Sequence, residues 1–453
     1  VIEVESGTVF TNGLGIHTYE LHLTTLADIF LLELNIEMAT STSVQDMVRP
    51  GHVFDVYYYD ADTSKKQAFP VTVNTKYVQQ FANLTGGSSV FTIPPNNGIQ
   101  DILLTFQMGT VTDVSGLALP RGWGYALVKQ VSFRYGGSSQ YFLTGDQILQ
   151  NAMRKQPNRP NVDDILTLGG QESVGSEING ALAYVVLTLP HNIPSKINKA
   201  NPLPTDLLTQ QVQVTVELNS VPSIFTIVGS PVYSPPTGLA SASFQVQQVM
   251  LNNQNDALAR RVDMAENAYA FPCEFTQQVQ RIPLANSANS QTVVLTGFRS
   301  GEVKSIQCWL TKGSDLRTGA TGVNNPLRWY PLDAIQMTYA GDIYARFDSG
   351  SSYAWNLING DKSPIVDTVV QSSGGAYTIN EASSVSYWHE LPFAQTFEGE
   401  GQMNTLIHGK PITNGIVNLD LTTPSAAADW TLNVSYIYNA TLLFSQGTAD
   451  YVF

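Results

Sequence analysis

The stretch Val131-Ser132-Phe133-Arg134-Tyr135-Gly136-Gly137 decides the fold, because it returns 204 residues later as Ile335-Gln336-Met337-Thr338-Tyr339-Ala340-Gly341. In both places apolar and polar residues alternate and then stop at a glycine-containing turn, the pattern of a half-buried strand entering a hairpin. Working outward, further segments repeat in the same order. Ala68-Phe69-Pro70-Val71 returns as Ala270-Phe271-Pro272-Cys273 at a spacing of 202. Asn97-Gly98-Ile99-Gln100-Asp101-Ile102-Leu103 returns as Ser300-Gly301-Glu302-Val303-Lys304-Ser305-Ile306 at 203. Leu189-Pro190 pairs with Leu391-Pro392 at 202, and Val216-Glu217-Leu218 with Leu419-Asp420-Leu421 at 203. One match alone carries nothing; five in constant order read as two tandem copies of one domain.

Period-two alternation bounded by Gly, Pro, Asn and Ser marks eight strands per copy. In the first copy they fall near 68–80, 88–95, 100–108, 125–135, 140–144, 182–190, 211–218 and 243–251. In the second they fall near 270–282, 291–297, 303–311, 332–339, 342–347, 384–391, 414–421 and 430–444. Eight antiparallel strands with unequal connections suit a jelly roll, two facing sheets built from Greek keys. Period and count leave a sandwich of other connectivity open. The expected fold is all-β, two tandem eight-stranded jelly rolls with a short linking helix. Residues 1–62 form an N-terminal arm or extension, 63–252 the first roll, 253–267 the helical linker and 268–453 the second roll.

The linker expectation rests on Asn255, which can cap a helix over 256–266 whose Leu258, Val262 and Ala265 make one apolar stripe. A shorter helix is expected after Gly145, with Asp146 near its start and Ile148, Leu149 and Ala152 on one side. The long irregular stretches 145–181 and 348–383 occupy the same place in both copies, and loops of that length usually carry function or contacts.

Composition points the same way. The 453 residues include only 23 Lys or Arg and 37 Asp or Glu, about half the ~25% charged share usual in soluble domains. Long solvated helices are starved of their usual residues, whereas Ser, Thr, Asn and Gln among Val, Tyr, Phe and Ile favour strands. A net charge of −14 with 10% aromatic residues fits a folded chain and lacks the basic footprint that phosphate backbones require, so direct nucleic-acid binding is not expected. No apolar run approaches the ~18 residues of a membrane-crossing helix. Cys273 and Cys308 lie in apolar strand-like runs, so buried thiols are expected, with one disulfide as the alternative. The first residues carry no signal-peptide pattern, and a start at Val1 in place of Met allows for upstream residues.

The run Gly122-Trp123-Gly124-Tyr125 through Tyr135-Gly136-Gly137 to Gly145-Asp146 resembles the strand-turn-strand segment of double jelly-roll major capsid proteins. In that family an apolar strand ends in paired glycines and soon reaches an Asp-containing helical turn. The segment from Ala242 through the linker to Leu310, and the C-terminal strand from Trp430 to Phe444, are similar as well. The resemblance covers most of residues 63 to 453, and the order of features carries it, since no single motif is diagnostic. The family includes capsid proteins of nucleocytoplasmic large DNA viruses, virophages, adenoviruses and tailless membrane-containing phages.

The resemblance implies a homotrimeric capsomer of pseudo-hexagonal outline that tiles an icosahedral shell, located in the virion and assembled inside the host cell. Its partners would be neighbouring capsomers, penton and minor or cement proteins, with an internal viral membrane as a further candidate. The loops at 109–124, 145–181, 312–331 and 348–383 would form the outer crown.

Catalytic, cofactor and metal sites are not expected. There is no Gly-x-Ser-x-Gly elbow, HExxH helix or phosphate-binding Gly-rich loop with Lys. His389-Glu390 lacks a second histidine, and its neighbours Tyr387-Trp388 point to a strand. Glu398 and Glu400 around Gly399 and Gly401 read as a solvated turn. Asp60 and Asp62 begin like a calcium loop, but Lys65-Lys66 stand where oxygens are needed. His17 and His22, the one close histidine pair, fit solvent or a partner better than a metal. Tyr57-Tyr58-Tyr59 lacks the cations of a base-stacking platform. Of the sequons at Asn83, Asn433 and Asn439, only Asn83 falls in an expected turn.

Two rivals stand beside the capsid reading. One is a glycan-cleaving amidase of the peptide N-glycosidase type, which joins two jelly rolls and sets acidic residues between them; it requires Asp, Glu and Trp converging on the inter-domain face. The other is a carbohydrate-binding protein. For residues 1–62, an arm tying capsomers together competes with the end of a further sandwich, suggested by strand-like runs at 31–38 and 53–59. The repeat further predicts that Phe69 and Phe271, Gly98 and Gly301, and Tyr135 and Tyr339 occupy matching places, each glycine in a turn at positive φ.

Overall fold

A computed structural model describes residues 9–11, 17–19, 71–94, 98–111, 117–136, 140–154, 162–187, 203, 205, 208–227, 237–251, 269–285, 289–312, 327, 329–330, 332–348, 365–366, 369–371, 377–379, 385–386, 388–393, 410–412, 416–424, 429–445 and 447–453. The chain divides into two units, residues 1–52 and 53–453. In the first, β1 (Val9–Thr11) and β2 (His17–Tyr19) form an antiparallel hairpin.

The second unit holds the repeat. Its first copy runs β3 (Val71–Gln80), β4 (Gly87–Ile93), β5 (Gly98–Met108), β6 (Leu117–Leu119), α1 (Trp123–Leu127), β7 (Val128–Tyr135), β8 (Gln140–Thr144), α2 (Gly145–Arg154), α3 (Val162–Leu168), β9 (Ser173–Val174), β10 (Leu182–Leu187), β11 (Val212–Leu218), β12 (Thr226–Ile227) and β13 (Leu239–Leu251). The second copy runs β14 (Tyr269–Thr276), β15 (Gln280–Pro283), β16 (Ser290–Leu295), β17 (Glu302–Lys312), β18 (Ala334–Tyr339) and β19 (Asp342–Asp348). It continues through β20 (Ile365–Val366), β21 (Val369–Gln371), β22 (Tyr377–Ile379), β23 (Val385–Ser386), β24 (His389–Pro392), β25 (Lys410–Pro411), β26 (Val417–Thr422), β27 (Trp430–Ser445) and β28 (Thr448–Val452).

All sixteen expected strands are present, and their order settles the connectivity that alternation left open. The first copy forms sheets β10-β5-β13-β3 and β4-β11-β7-β8; the second forms β14-β27-β17-β24 and β16-β26-β18-β19. Numbered within each copy, one sheet joins the first, eighth, third and sixth strands, and the other the second, seventh, fourth and fifth. That is the jelly roll, twice.

Register follows from which residues must leave water. Along β11, Val212, Val214, Val216 and Leu218 are buried while Gln213, Thr215 and Glu217 point outward. A slip of one residue would expose all four, each worth about 1.5–3 kcal/mol buried, so the pairing has no close competitor. Inside the first roll Phe91 stacks on Phe244 at 4.3 Å, with Phe81 edge-on to Phe91 at 4.8 Å. β17 and β27 break the alternation: from Ser305 to Thr311 and from Leu432 to Tyr438 every residue is buried. Their sheet has a core on both faces.

Several expectations need correction. The strand expected from 125 begins at Val128, because 123–127 close the buried helical turn α1, entered through Gly122 at φ 75°. The strand expected over 270–282 is split by residues 277–279 into β14 and β15, both paired to β27. Stretch 145–181 contains α2, α3 and β9, and the expected apolar side of α2 is present, with Ile148, Leu149 and Ala152 buried. Gly301 sits at φ 140° just before β17, but Gly98 is already the first residue of β5, paired with Val249, so the two do not share one turn. Phe271 lies in β14; Phe69, the linker helix over 253–267 and runs 31–38 and 53–59 lie outside the described residues. No helix among the described residues is long and apolar enough to cross a membrane.

Candidate functional site at the junction of the two jelly rolls

The junction is built from β7, β8 and α2 of the first roll against β14, β27 and β28 of the second. Tyr141 of β8 packs edge-on against Phe275 of β14 at 5.1 Å, and Tyr451 of β28 meets Tyr135 at 6.1 Å, Tyr141 at 5.9 Å and Phe275 at 5.1 Å. The Arg299 guanidinium lies 4.8 Å over the Phe275 ring. Burial pushes the Tyr135, Tyr141 and Tyr451 phenols above their ordinary range, so they stay neutral.

β28 reaches this cluster by folding back along β27 through Gly447 at φ 78°. The Gly447 carbonyl accepts from the Thr209 N–H at 2.9 Å and its hydroxyl at 3.1 Å. A Cβ at Gly447 would lie 2.3 Å from Thr209 Cγ2, so only glycine permits this approach between the rolls.

α2 supplies the polar half. Thr144 Oγ1 accepts from the Gln147 N–H at 3.4 Å and Gln147 Oε1 from the Thr144 N–H at 3.1 Å, a reciprocal cap. The same amide then donates from Nε2 to the Gln277 carbonyl and to Ser435 Oγ, both at 2.7 Å, in the second roll. The break at 277–279 is what turns that carbonyl out of the ladder. One turn on, the buried Gln150 and Asn151 amides meet no hydrogen-bond partner. Unpaired amides at such depth cost about 1–3 kcal/mol each, so the aromatic cluster and Gln147 hold the seam.

Asp146 stands half-buried beside them: desolvation pushes its carboxyl up to about 6, against smaller pulls from Arg281 and Trp329. Trp329 lies 6.1 Å from Trp309 and 5.9 Å from Trp388, all three fully buried. Acidic residues and tryptophans therefore do gather here, which the sequence did not reveal. Glu390 and the three tryptophans are packed shut, and Glu390 accepts from Ser305 Oγ at 2.7 Å. Among the described residues, surface hollows lie elsewhere: one of 640 Å³ is lined by Thr292, Arg346 and Asp420, another of 690 Å³ by Glu172, Glu177 and Tyr184.

The other candidates scatter. His389 is on strand β24, its Nε2 accepting from the Leu332 N–H at 3.0 Å, and burial lowers its pKa to about 3. Cys273 and Cys308 are both buried and are not joined in a disulfide. Asn83 is exposed before β4, Asn433 is buried and donates to Thr311 Oγ1 at 3.0 Å, and Asn439 is half-buried in β27. His17 lies in β2. His22, Tyr57, Tyr58, Tyr59, Asp60, Asp62, Lys65, Lys66, Glu398 and Glu400 lie outside the described residues. Among the described residues no three His, Cys, Asp or Glu side chains converge to hold a metal ion. Sequence reasoning missed Gln147, although Thr144-x-x-Gln147 before an apolar run is a readable capping signal.

No protein-family model and no curated protein matches the chain by sequence. Solved structures match by fold. A quasi-atomic model of the PBCV-1 virus capsid superposes with a TM-score of 0.59 at 13% identity, over 86% of this chain and 98% of that one. PBCV-1 VP54, fitted into a reconstruction of the virophage Sputnik, gives 0.57 at 14% over 86% and 98%. The mavirus major capsid protein gives 0.51 at 11% over 87% and 93%. The fold is thus the double jelly roll, and it is shared with viral major capsid proteins across nearly their whole length.

Proposed function

We propose that this chain is a major capsid protein that acts by self-assembly and not by catalysis. It forms homotrimeric capsomers of pseudo-hexagonal outline that tile an icosahedral shell, and so resides in the virion after assembly inside the host cell. Neighbouring capsomers and penton and minor or cement proteins are its partners, with an internal membrane beneath the shell as a further contact. Residues 63–252 and 268–453 are the two upright rolls, 253–267 the linker and 1–62 an arm.

One observation carries this reading: two rolls of identical strand order are locked side by side by packed aromatic rings and by hydrogen bonds from Gln147 to the second roll. A hinge or a substrate groove needs an open face there, whereas a rigid double block is what a tile needs. Electron microscopy of the negatively stained protein tests it. Particles of hexagonal outline are the expected image; compact single blocks at every concentration would overturn the reading.

A further inference from the structure

We infer that the second roll carries a self-made covalent cross-link, an amide bond from Lys304 on β17 to Asn439 on β27, formed with Glu274 of β14 as the base. It is a single intramolecular event without turnover, and it does not depend on how the chain assembles.

Sheet geometry gathers the three side chains. β27 runs between β14 and β17. Asn439 pairs with Glu274 on one side and with Glu302 on the other, and directly opposed residues share a face, so these three form one row across the sheet. The ladder between β17 and β27 shifts between Val303 and Ser305, which sets Lys304 in a bulge. From there Lys304 Nζ donates to Glu274 Oε1. β17 and β14 are two strand spacings apart, about 10 Å, so the lysine reaches its partner only by crossing over β27. The residue of β27 directly opposite Glu274 on that face is Asn439. The lysine and glutamate keep 15% and 16% of their side-chain surface in water, and Asn439 is half-buried.

The fold does not require this trio. In the first roll the matching strands are β3, β13 and β5, and the ladder between β5 and β13 has a shift of its own between Gln247 and Gln248. Yet β3 holds no carboxylate, β13 no asparagine and β5 no lysine. An ion pair withdrawn from water returns little net stability, whereas a bond between two strands holds the sheet covalently.

The reaction needs no co-reactant. Glu274 takes a proton from the Lys304 ammonium, and the freed Nζ lone pair attacks Asn439 Cγ. Glu274 passes that proton to Nδ2, and the Cγ–Nδ2 bond breaks as ammonia leaves. The proton then shed by Nζ passes through Glu274 to the ammonia, which departs as ammonium. One Nζ–Cγ bond replaces one Cγ–Nδ2 bond, and nothing is oxidised or reduced. Holding nucleophile and carbonyl together supplies the rate.

Intact-mass spectrometry of the full chain is the test. The unaltered protein should weigh less than its sequence by one ammonia, and a protease digest should yield a branched peptide joining the segments that hold Lys304 and Asn439. Lys304→Arg, Asn439→Ala and Glu274→Gln should each restore the full sequence mass and separate the two peptides. The measurement on the unaltered chain needs no variant to fold. Full sequence mass there, with Lys304 and Asn439 in separate peptides, overturns the inference. So does an ammonia loss that persists in Lys304→Arg, since it would come from another side chain. Neither result bears on the capsomer reading, whose test is the native mass of the assembled chain.

Discussion

Tyr135 and Tyr339 hold the same place in the two rolls: each ends its fourth strand, faces inward and pairs with the first residue of the seventh, Val212 and Val417 respectively. Their neighbours differ. Tyr135 is met by Tyr451 from the other roll at 6.1 Å, Tyr339 by Tyr344 and Phe393 of its own roll at 6.0 and 6.4 Å. In urea unfolding, Tyr135→Ala and Tyr451→Ala should couple by about 0.5–1.5 kcal/mol, whereas Tyr339→Ala and Tyr451→Ala should add within about 0.5 kcal/mol. Additivity of the first pair would mean that the aromatic cluster does not join the rolls.

The turn after Tyr339 stores strain. Ala340 at φ 53° and Gly341 at φ 92° close the hairpin between Tyr339 and Asp342, while the residue after Tyr135 is Gly136 at φ 65°. Left-handed backbone costs alanine about 1 kcal/mol, and Asn-Gly is the favoured pair for this turn. Ala340→Asn should therefore raise the unfolding free energy by about 0.5–1 kcal/mol, read from a shift in the urea midpoint at unchanged slope. A loss would show that the alanine methyl makes a contact worth more than the strain.

Gln147 serves both the α2 cap and the junction. Gln147→Glu keeps an acceptor for the Thr144 N–H but sets a buried charge against the Gln277 carbonyl, and should cost about 3 kcal/mol or more. Thr144→Ala removes only part of the cap and should cost about 1 kcal/mol. Chemical denaturation compares them, and equal costs would mean that the bonds to the second roll contribute nothing.

The raised pKa of Asp146 makes the native state hold its proton more tightly than the unfolded state does, so this group's contribution to stability falls as pH climbs from 3.8 to about 6. Above that range the cost of a partly desolvated carboxylate is fully present; below it the cost is absent. Asp146→Asn, neutral throughout, should be more stable than the native chain by about 1–3 kcal/mol at pH 7 and no more stable near pH 4. Thermal melts across that range decide it, and a variant less stable at pH 7 would mean that attraction to Arg281 outweighs burial.

The sixteen main strands were legible because alternation, punctuated by Gly and Pro, is a local signal that burial of one face imposes on residues such as Val212 to Leu218. What lay hidden depends on contacts distant in sequence or on elements too short to show a period. β28 is short and mixed in polarity, and it becomes a strand by pairing with β27 and packing Tyr451 between the rolls. α1, five buried residues, is too short for periodicity to show. Trp309, Trp329 and Trp388 are far apart in sequence and meet only through the fold, so the acidic and aromatic composition of the junction could not be read in advance.

The native mass of the purified chain at micromolar concentration tests the central claim most directly. For the proposed homotrimer, light scattering should give about three times the 49.4 kDa of one chain, since subunits that share large interfaces stay associated at such concentrations. A stable, fully folded single chain under those conditions would contradict the account.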